Sequence, residues 1–315
     1  MVASTRALRL HEHGRPPVVE DVALPDPGPD EALVVLEHAG VNPVDRYLAL
    51  GSVAPEGPLP RTLGVEAAGR VDGAPVVVAA AGLGVVRDGL WSERAVVPHS
   101  AVVRVPDGVG LAEASAVPVA GITAYACMVT LGRVQDDDRV LVLGASGGVG
   151  LAVLTLATSI GATVYAQTGS PDKEDALRAH GAHEVLAVGA GGLAEAAADL
   201  RPTVVVDALG GGFTSAALAV LQPFGRYVVF GTTVDRQVDL DLQSVYRKNV
   251  AILGYSVMGQ STQQRREAVV EALAALAAGR MRLPVGRHVP LDQGSAVFEA
   301  LDDRSQIGKT VLDLG

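Results

Sequence analysis

The feature that most constrains the fold is the stretch from Arg139 to Gly161, RVLVLGASGGVGLAVLTLATSIG. A short apolar run, Val140–Leu143, leads into a glycine-rich turn, and an apolar segment then extends to Ile160. This order predicts a strand, a tight turn and a helix that ends at Gly161. Glycines in such a turn let a ligand's pyrophosphate lie against backbone N–H groups at the helix N-terminus.

The turn carries a variant of the dinucleotide-binding fingerprint, in which alanine replaces the first glycine. Its spacing is Ala145-x-Gly147-x-x-Gly150. A glycine-rich turn alone is often only a turn, but this one follows an apolar strand and opens a helix. We therefore predict that a dinucleotide cofactor contacts Ala145, Ser146, Gly147, Gly148, Val149 and Gly150.

Composition excludes several classes of protein. A chain of 315 residues, 49% hydrophobic and 19% charged, is that of a globular protein large enough for two domains. Its formal net charge of −10 gives no reason to bind nucleic acid or an anionic membrane, so a small ligand is expected. The N-terminal residues form no apolar core and no apolar run approaches about 20 residues, which predicts a cytoplasmic protein.

The pattern of predicted strands and helices along the chain indicates an α/β fold in two domains. Residues 1–113 show short strands separated by Pro and Gly, which indicates a β-rich domain. Strands and helices alternate over residues 114–256, the pattern of a doubly wound parallel sheet. The strands of the first region are predicted at Arg6–Leu10, Ala32–His38, Gly64–Val71, Pro75–Ala79, Ala95–Val97 and Val102–Val105, and those of the second at Val140–Leu143, Thr163–Ala166, Glu184–Leu186, Thr203–Asp207, Arg226–Phe230 and Val250–Gly254. Residues 257–315 return to strand-like pieces and are assigned to the first domain. Ser261-Thr-Gln-Gln264 predicts a capping box at the start of a helix.

Several segments, in order, resemble the medium-chain dehydrogenase/reductase superfamily, in particular its zinc-free quinone oxidoreductase branch. The resemblance implies a GroES-like catalytic domain and a Rossmann nucleotide-binding domain. The chain departs from the family pattern between Val71 and Trp91, where relatives have a longer loop, so the resemblance does not define the residues of one wall of the substrate pocket. The matching segments are HAGVNPVDRYLALG (His38–Gly51), LGVEAAGRV (Leu63–Val71), AVPVAGITAY (Ala116–Tyr125), LGASGGVG (Leu143–Gly150), VVVDALGG (Val204–Gly211), VVFG (Val228–Gly231) and IGKTVLDL (Ile307–Leu314).

The residues that hold zinc in other members of this superfamily are missing. Those members use an early Cys, a Gly-His-Glu turn and a further Cys or Asp, whereas here the turn reads Gly64-Val65-Glu66. The single cysteine, Cys127, lies elsewhere and is expected to be a packed side chain. Catalytic zinc needs three protein ligands, and the seven histidines show no metal spacing. We predict no metal site, and a structural role for His38.

The end of the second nucleotide-domain strand predicts which nicotinamide cofactor is bound. An acidic residue there would bond the ribose of NAD, but this chain has Thr168 and Ser170, followed by Lys173. Hydroxyls and an ammonium can satisfy a 2′-phosphate, which favours NADPH. The alternative is that Ser170 only caps its helix and Lys173 is solvated. A tyrosine that many relatives place after the third strand is missing from Val185–Gly192.

Further cofactor contacts are predicted at the carboxyl ends of the later strands, where open α/β sheets bind ligands. Lys309 matches a family lysine and is assigned to the same site, although an exposed lysine is an open alternative. The other predicted contacts are Leu209, Phe230, Gly231 and Tyr255.

The resemblance also implies catalytic residues. Asn42 and Tyr47 match the family segment that lines the nicotinamide and substrate side, and a Tyr O–H can give a proton to a developing oxyanion. Asp45 is expected instead to hold its loop by side-chain to backbone bonds. Thr123 matches a family position near the nicotinamide, or bonds backward to its own helix.

The function implied is that of a zinc-independent, NADPH-dependent reductase that transfers hydride to a quinone or to a conjugated enone or enoyl thioester. The alternative, from another class, is an NADPH-binding protein with little turnover that acts as a redox sensor or structural partner. The identity of the acceptor stays open. A homodimer is predicted because the apolar run Val250–Gly254 would be the bare edge strand of the sheet.

Overall fold

The chain forms two compact units in a computed structural model that describes residues 3–80, 82–303 and 305–315. The first unit comprises Met1–Gly121, Gln260–Ala277 and Leu283–Gly315. The second unit comprises Ile122–Gly259 and Ala278–Arg282. These limits differ from the predicted 1–113, 114–256 and 257–315 mainly because the helical segment up to Gly121 packs with the first unit.

The strands of both units follow the predicted succession. Along the chain they are β1 (Ser4–Leu10), β2 (Val18–Ala23), β3 (Glu31–Gly40), β4 (Arg61–Thr62), β5 (Glu66–Val71), β6 (Ala74–Ala79), β7 (Arg94–Pro98), β8 (Val102–Arg104), β9 (Arg139–Leu143), β10 (Thr163–Thr168), β11 (Glu184–Ala187), β12 (Val204–Asp207), β13 (Arg226–Val229), β14 (Ala251–Gly254), β15 (Val285–Pro290) and β16 (Lys309–Asp313).

The helices are α1 (Pro43–Ala49), α2 (Leu111–Ala114), α3 (Ile122–Tyr125), α4 (Gly148–Ile160), α5 (Glu174–Ala179), α6 (Ala190–Ala196), α7 (Gly212–Val220), α8 (Leu242–Lys248), α9 (Thr262–Ala277) and α10 (Val297–Asp302). Short 3₁₀ segments lie at His99–Ala101, Pro171–Lys173, Val257–Gly259 and Leu291–Ala296, and π-helical turns at Val117–Gly121 and Ala126–Leu131. None of the helices described is both long enough and apolar enough to cross a bilayer.

The first unit is built from two β-sheets. A small sheet has the order β2-β1-β4, and a larger one has the order β15-β16-β3-β5-β6-β8, with β7 paired to β3. Residues from both sheets, among them Leu8, Leu36 and the fully buried Trp91, form one hydrophobic core. β15 and β16 belong to the larger sheet, so the C-terminal part of the chain lies in the first unit, as expected.

The second unit contains a six-stranded parallel sheet in the order β11-β10-β9-β12-β13-β14. The predicted doubly wound sheet is therefore confirmed. β9 lies near its middle and pairs with β10 on one side and β12 on the other, where the strand order reverses. Open α/β sheets bind ligands at this reversal, beyond the carboxyl ends of the strands.

Turn and cap chemistry accounts for the helix limits around this sheet. α4 begins after Gly147 and ends at Gly161, whose φ of 97° is left-handed, as predicted for a C-terminal glycine. Gly150 is required for a different reason, because a Cβ there would lie 2.6 Å from the carbonyl oxygen of Ala145. Only glycine lets α4 pack this closely on the strand that precedes it.

The predicted capping box of α9 is confirmed in both directions. The backbone N–H of Ser261 donates to Gln264 Oε1 at 2.9 Å, and the N–H of Gln264 donates to Ser261 Oγ at 3.2 Å. The sequence of α9 also predicts one apolar face that includes Val269, Val270 and Leu273. Val269 and Leu273 are buried, but the prediction is wrong at Val270, which is exposed.

Candidate functional site

The glycine turn of the second unit has the geometry of a phosphate cradle. Gly144 takes a left-handed φ of 72°, and Gly147 is the N-cap of the 13-residue helix α4. A Cβ at Gly147 would have as its nearest neighbour the carbonyl oxygen of Gly144 at 3.7 Å, so a side chain would fill open space there. The first N–H groups of a helix have no intrahelical acceptor. The turn therefore fits a pyrophosphate.

Gln167, at the end of β10, holds the glycine turn by hydrogen bonds, a role that the sequence analysis did not predict. Its Oε1 accepts from the N–H of Gly144 at 3.0 Å, and its Nε2 donates to the carbonyl of Val188 at 2.7 Å. The N–H of Ala145 donates to the Gln167 carbonyl at 3.0 Å. The available signal was an amide side chain on a strand of a predicted parallel sheet, because such a strand is buried and a buried amide requires partners.

Lys173 lies against the glycine turn. Its side chain is buried, and Nζ donates to Ser146 Oγ at 3.3 Å. The alternative of a solvated lysine is therefore wrong. Ser170 occupies the N-cap position of its 3₁₀ segment, but its side chain makes no capping bond. Instead its N–H donates to Thr168 Oγ1 at 3.2 Å. Thr168 is the last residue of β10, and Ser170 and Lys173 come shortly after it along the chain.

The predicted contacts on later strands lie at the carboxyl edge of the sheet. Leu209 approaches the glycine turn, since a Cβ on Gly144 would meet its Cδ2 at 3.1 Å. Phe230 and Gly231 follow β13 directly, and Tyr255 follows β14. Each stays a predicted cofactor contact.

Asp207, at the end of β12, holds the loop that carries Leu209. Its Oδ1 accepts from the N–H of Leu209 at 2.6 Å, and Oδ2 accepts from Thr214 Oγ1 at 3.1 Å and from the Tyr227 hydroxyl. Burial and the negative charge of Asp207 raise the pKa of Tyr227 above its usual range, so Tyr227 stays a donor. Because both oxygens of this carboxylate accept hydrogen bonds from the loop, from α7 and from β13, its role in the second unit is structural.

The first unit contains a buried polar cluster centred on Glu66, which is fully buried on β5. Glu66 Oε1 accepts from Asn42 Nδ2 at 2.7 Å and from Lys309 Nζ at 2.9 Å, and Oε2 accepts from the N–H of Val119 at 2.7 Å. Lys309 Nζ also donates to Asn42 Oδ1. The alternative of an exposed Lys309 is wrong, and the assignment of Lys309 to the cofactor stays a prediction.

Gly40, at the end of β3, makes room for this cluster. A Cβ on Gly40 would lie 2.1 Å from Glu66 Oε1, a distance no real contact reaches. Gly40 is thus required by the carboxylate and not by a turn.

Asp45 belongs to the same cluster. Its Oδ2 accepts from the N–H of Asn42 at 2.8 Å, which confirms that Asp45 holds the loop before α1. The side chain is fully buried, and Oδ1 has no hydrogen-bond partner. Burial raises the pKa of Asp45 to about 7; the charge of Glu66 acts in the same direction, and the Asn42 N–H and the charge of Lys309 oppose it.

The three predicted catalytic residues lie in different surroundings. Asn42 is buried, and both ends of its amide are bonded to Glu66 and Lys309. Tyr47 lies on α1 with 38% of its surface exposed, so its hydroxyl-bearing ring is accessible in the first unit. Thr123 is buried in α3 of the second unit. All three catalytic assignments stay predictions.

The histidines show no metal spacing along the sequence, but the structure brings His38 and His288 together beside Asp313. Both Nδ1 atoms lie within 3 Å of Asp313 Oδ1, at 2.8 and 2.9 Å. The two histidines are 250 positions apart in sequence, so spacing along the chain gave no sign of the pair.

Cys127 is fully buried as expected, and burial raises the pKa of its thiol to about 12. The shortened segment between Val71 and Trp91 is described except for residue 81.

The chain is similar to a dehydrogenase family model, to quinone oxidoreductases and to polyketide synthase proteins. A family model described as zinc-binding dehydrogenase matches residues 148–275. A quinone oxidoreductase of Lama guanicoe is 26% identical over 98% of this chain and 97% of its own length. The spectinabilin polyketide synthase system protein NorB of Streptomyces orinoci is 34% identical over 91% of this chain, which spans only 13% of that protein.

A solved structure is similar in fold to nearly the whole of this chain. The mycobacterial protein Rv1454c, described as complexed with NADPH, aligns with a TM-score of 0.85 at 26% identity, covering 98% of this chain and 99% of that one.

The raised pKa of Asp45 predicts a pH-dependent stability. Between about pH 4 and pH 7 the folded protein keeps the Asp45 proton while the unfolded chain has lost it, so the free energy of unfolding falls by up to about 1.4 kcal/mol per pH unit. Asp45→Asn keeps an oxygen for the Asn42 N–H and removes this titration. Urea unfolding should therefore show that the variant gains stability relative to wild type as the pH rises from about 4 to about 7.

The matched control is Asp107→Asn, which removes an exposed carboxyl group. It should leave the pH dependence of the wild type unchanged. A difference between Asp45→Asn and wild type that is constant over this pH range would show that Asp45 is ionised throughout.

Proposed function

Because this chain belongs to the medium-chain dehydrogenase/reductase superfamily, in its quinone oxidoreductase branch, we propose that it is an NADPH-dependent reductase that needs no zinc. The acceptor in this proposal is a conjugated carbonyl compound, either a quinone or an enone or enoyl thioester. The similarity to quinone oxidoreductases and to polyketide synthases supports this acceptor class.

The observation that carries the choice of NADPH is the position of Lys173. Its ammonium lies 3.3 Å from Ser146 Oγ of the glycine turn, and β10 ends in Gln167 and Thr168 without a carboxylate. A fixed cation beside the turn attracts a 2′-phosphate, and no acidic residue there repels it. The NADPH named for the mycobacterial relative points the same way.

The described residues fit NADPH as a cofactor. In the proposal the first N–H groups of α4 and the open face of Gly147 hold the pyrophosphate, while Thr168, Ser170 and Lys173 hold the 2′-phosphate. Leu209, Phe230 and Tyr255 border the remainder at the ends of their strands. When bound, NADPH supplies the hydride, and the chain has to bind, orient and exclude water.

The Glu66 cluster supports catalysis without zinc. The turn Gly64-Val65-Glu66 has no histidine, and its carboxylate is bonded to Lys309, Asn42 and the N–H of Val119. A carboxylate neutralised by a buried ammonium is a poor metal ligand unless the ion pair breaks, which is costly inside a protein. Cys127, the one cysteine of the sequence, is fully buried in α-helical and π-helical surroundings of the second unit, whereas Glu66 lies in the first unit.

Reduction of an enone leaves negative charge on oxygen, and we assign its protonation to Tyr47. A tyrosine hydroxyl can donate a proton or a hydrogen bond to an oxyanion, and Tyr47 is 38% exposed in the first unit. Asn42 has both ends of its amide bonded to Glu66 and Lys309, so it acts by holding the cluster rather than by donating to substrate. A quinol oxyanion is a weaker base and can take a proton from water.

We propose that the protein is a homodimer. β14 is an edge strand of the parallel sheet, and Ile252 on it is 43% exposed. Leu242 on the neighbouring helix α8 and Met258 beyond the strand are also exposed. An apolar edge strand favours pairing with a second copy through a two-fold axis.

Removal of the ammonium at Lys173 tests the cofactor assignment. Loss of one charge-assisted contact to phosphate should weaken NADPH binding by about tenfold to a hundredfold, corresponding to about 1.5–3 kcal/mol, and leave NADH binding unchanged. Fluorescence titration of Lys173→Ala with both nucleotides measures this. Arg178→Ala removes an exposed positive charge from the following helix and is the control. Equal losses for both nucleotides, or none, would remove Lys173 from the 2′-phosphate site.

The reaction itself is tested by NADPH consumption against quinones, enones and enoyl thioesters, with wild type and Tyr47→Phe. Wild type should turn over at least one conjugated acceptor, and Tyr47→Phe should lower turnover of an enone by roughly 10²-fold with a smaller loss for a quinone. Tyr246→Phe removes a hydroxyl from an exposed ring and should behave as wild type. Binding of NADPH without turnover on any acceptor would favour the sensor or structural role.

Light scattering at micromolar concentration tests the dimer. Wild type should have twice the mass of one chain, and Ile252→Lys, which places a charge on the edge strand, should shift the population to monomer. Leu33→Lys is the control, because it places the same charge on an exposed position of the first unit. A wild-type protein that is monomeric throughout would contradict the proposal.

A further inference from the structure

Three metal-ligating side chains meet on one face of the larger sheet in the first unit. His38 lies on β3 and Asp313 on β16, and these two residues are directly opposite in the antiparallel register. His288 lies on β15, opposite Val311, two positions before Asp313. Because side chains alternate between the faces of a sheet, a shift of two positions keeps His288 on the same face as the other two.

The distances match a small-ion site. Asp313 Oδ1 is 2.8 Å from His38 Nδ1 and 2.9 Å from His288 Nδ1, and one ligand atom from each residue lies within 4.8 Å of the others. The two imidazole rings are 6.0 Å apart and nearly perpendicular, at 75°. Tetrahedral Zn²⁺ with bonds of about 2.0–2.1 Å needs its ligand atoms roughly 3.4 Å apart. Small side-chain rotations would open the cluster to this spacing, with no change in the backbone of the strands.

The donor set selects the class of ion. Imidazole nitrogen suits zinc and its neighbours in the transition series, whereas Ca²⁺ and Mg²⁺ prefer oxygen ligands. All three side chains are between a quarter and a half exposed, so solvent can reach the ion and supply a fourth ligand. We propose that His38, His288 and Asp313 form a Zn²⁺-binding site with one water in the open position.

This site is separate from the polar cluster around Glu66. Lys309 and Asp313 lie on the same strand, β16, four residues apart, which corresponds to about 13 Å along a strand. The site also uses none of the residues at which zinc-dependent relatives hold a catalytic metal, and Glu66 takes no part in it.

The position of the site suggests what the metal does. β15 is the edge strand of its sheet, and the three ligands belong to three adjacent strands from the beginning and the end of the chain. A metal bound across them would tie β15 and β16 to β3. Since the ligands are brought together only by folding, metal binding adds to the stability of the folded state.

The test uses the full-length chain without a histidine tag, freed of metal by chelation and dialysis. Calorimetric titration with Zn²⁺ alone near neutral pH should give one equivalent bound, and Zn²⁺ should raise the Tm. His38→Asn, His288→Asn and Asp313→Asn should each weaken binding by roughly tenfold or more and lose the Tm shift. Ca²⁺ should neither bind nor shift the Tm.

The matched control is His11→Asn. His11 Nε2 lies 3.1 Å from Glu20 Oε2, so this variant removes an exposed imidazole beside a carboxylate, but from a pair that has no second histidine. It should bind Zn²⁺ as wild type does. Circular dichroism and NADPH binding establish that each variant is folded. Co²⁺ in place of Zn²⁺ should give the visible absorption of a four-coordinate ion in wild type and in His11→Asn, but in none of the three ligand variants. Wild type that takes up no Zn²⁺, or ligand variants that bind it as wild type does, would overturn the proposal.

Discussion

The first unit depends on one buried ion pair, between Glu66 and Lys309. A carboxylate and an ammonium removed from water are tolerated only when paired and hydrogen-bonded, and this pair gains its further bonds from the Asn42 amide and the N–H of Val119. These residues come from β5, β16, the start of α1 and the π-helical turn before Gly121. Removal of one partner would leave an uncompensated charge in the interior, so the cluster specifies how these segments meet.

The same cluster explains two neighbouring residues. Gly40 is glycine because the Glu66 carboxylate occupies the space of a side chain, and Asp45 holds a proton near neutral pH because it is buried beside that carboxylate. In the second unit, Asp207 and Gln167 do comparable work at the glycine turn and the loop after β12. Gln167 bonds the N–H of Gly144 and the carbonyl of Val188, and Asp207 bonds the N–H of Leu209 and the hydroxyls of Thr214 and Tyr227, so each connects neighbouring segments at the carboxyl edge of the sheet.

Much of the fold could be predicted because it follows local rules. The parallel strands are continuous apolar runs and the helix ends carry glycine or capping signals, so β9 to β14 and the α9 capping box were found from sequence. β2 was missed because Val18–Ala23 has little burial and no apolar alternation, and β4 because it has only two residues. Which charged residues are buried could not be found, since the partners of Lys309 and Lys173 lie at distant positions in the sequence. The cluster of His38, His288 and Asp313 has the same origin.

The most direct test of the central claim, that this chain reduces a conjugated acceptor with hydride from NADPH, is to follow the transferred atom. The protein would be incubated with an enone and with NADPH in which both C4 hydrogens are replaced by deuterium, and the product analysed by mass spectrometry and NMR. The account predicts one deuterium at the β-carbon of the reduced enone and a solvent proton at the α-carbon. Product without deuterium at the β-carbon, or no product from any conjugated acceptor while NADPH is bound, would contradict it.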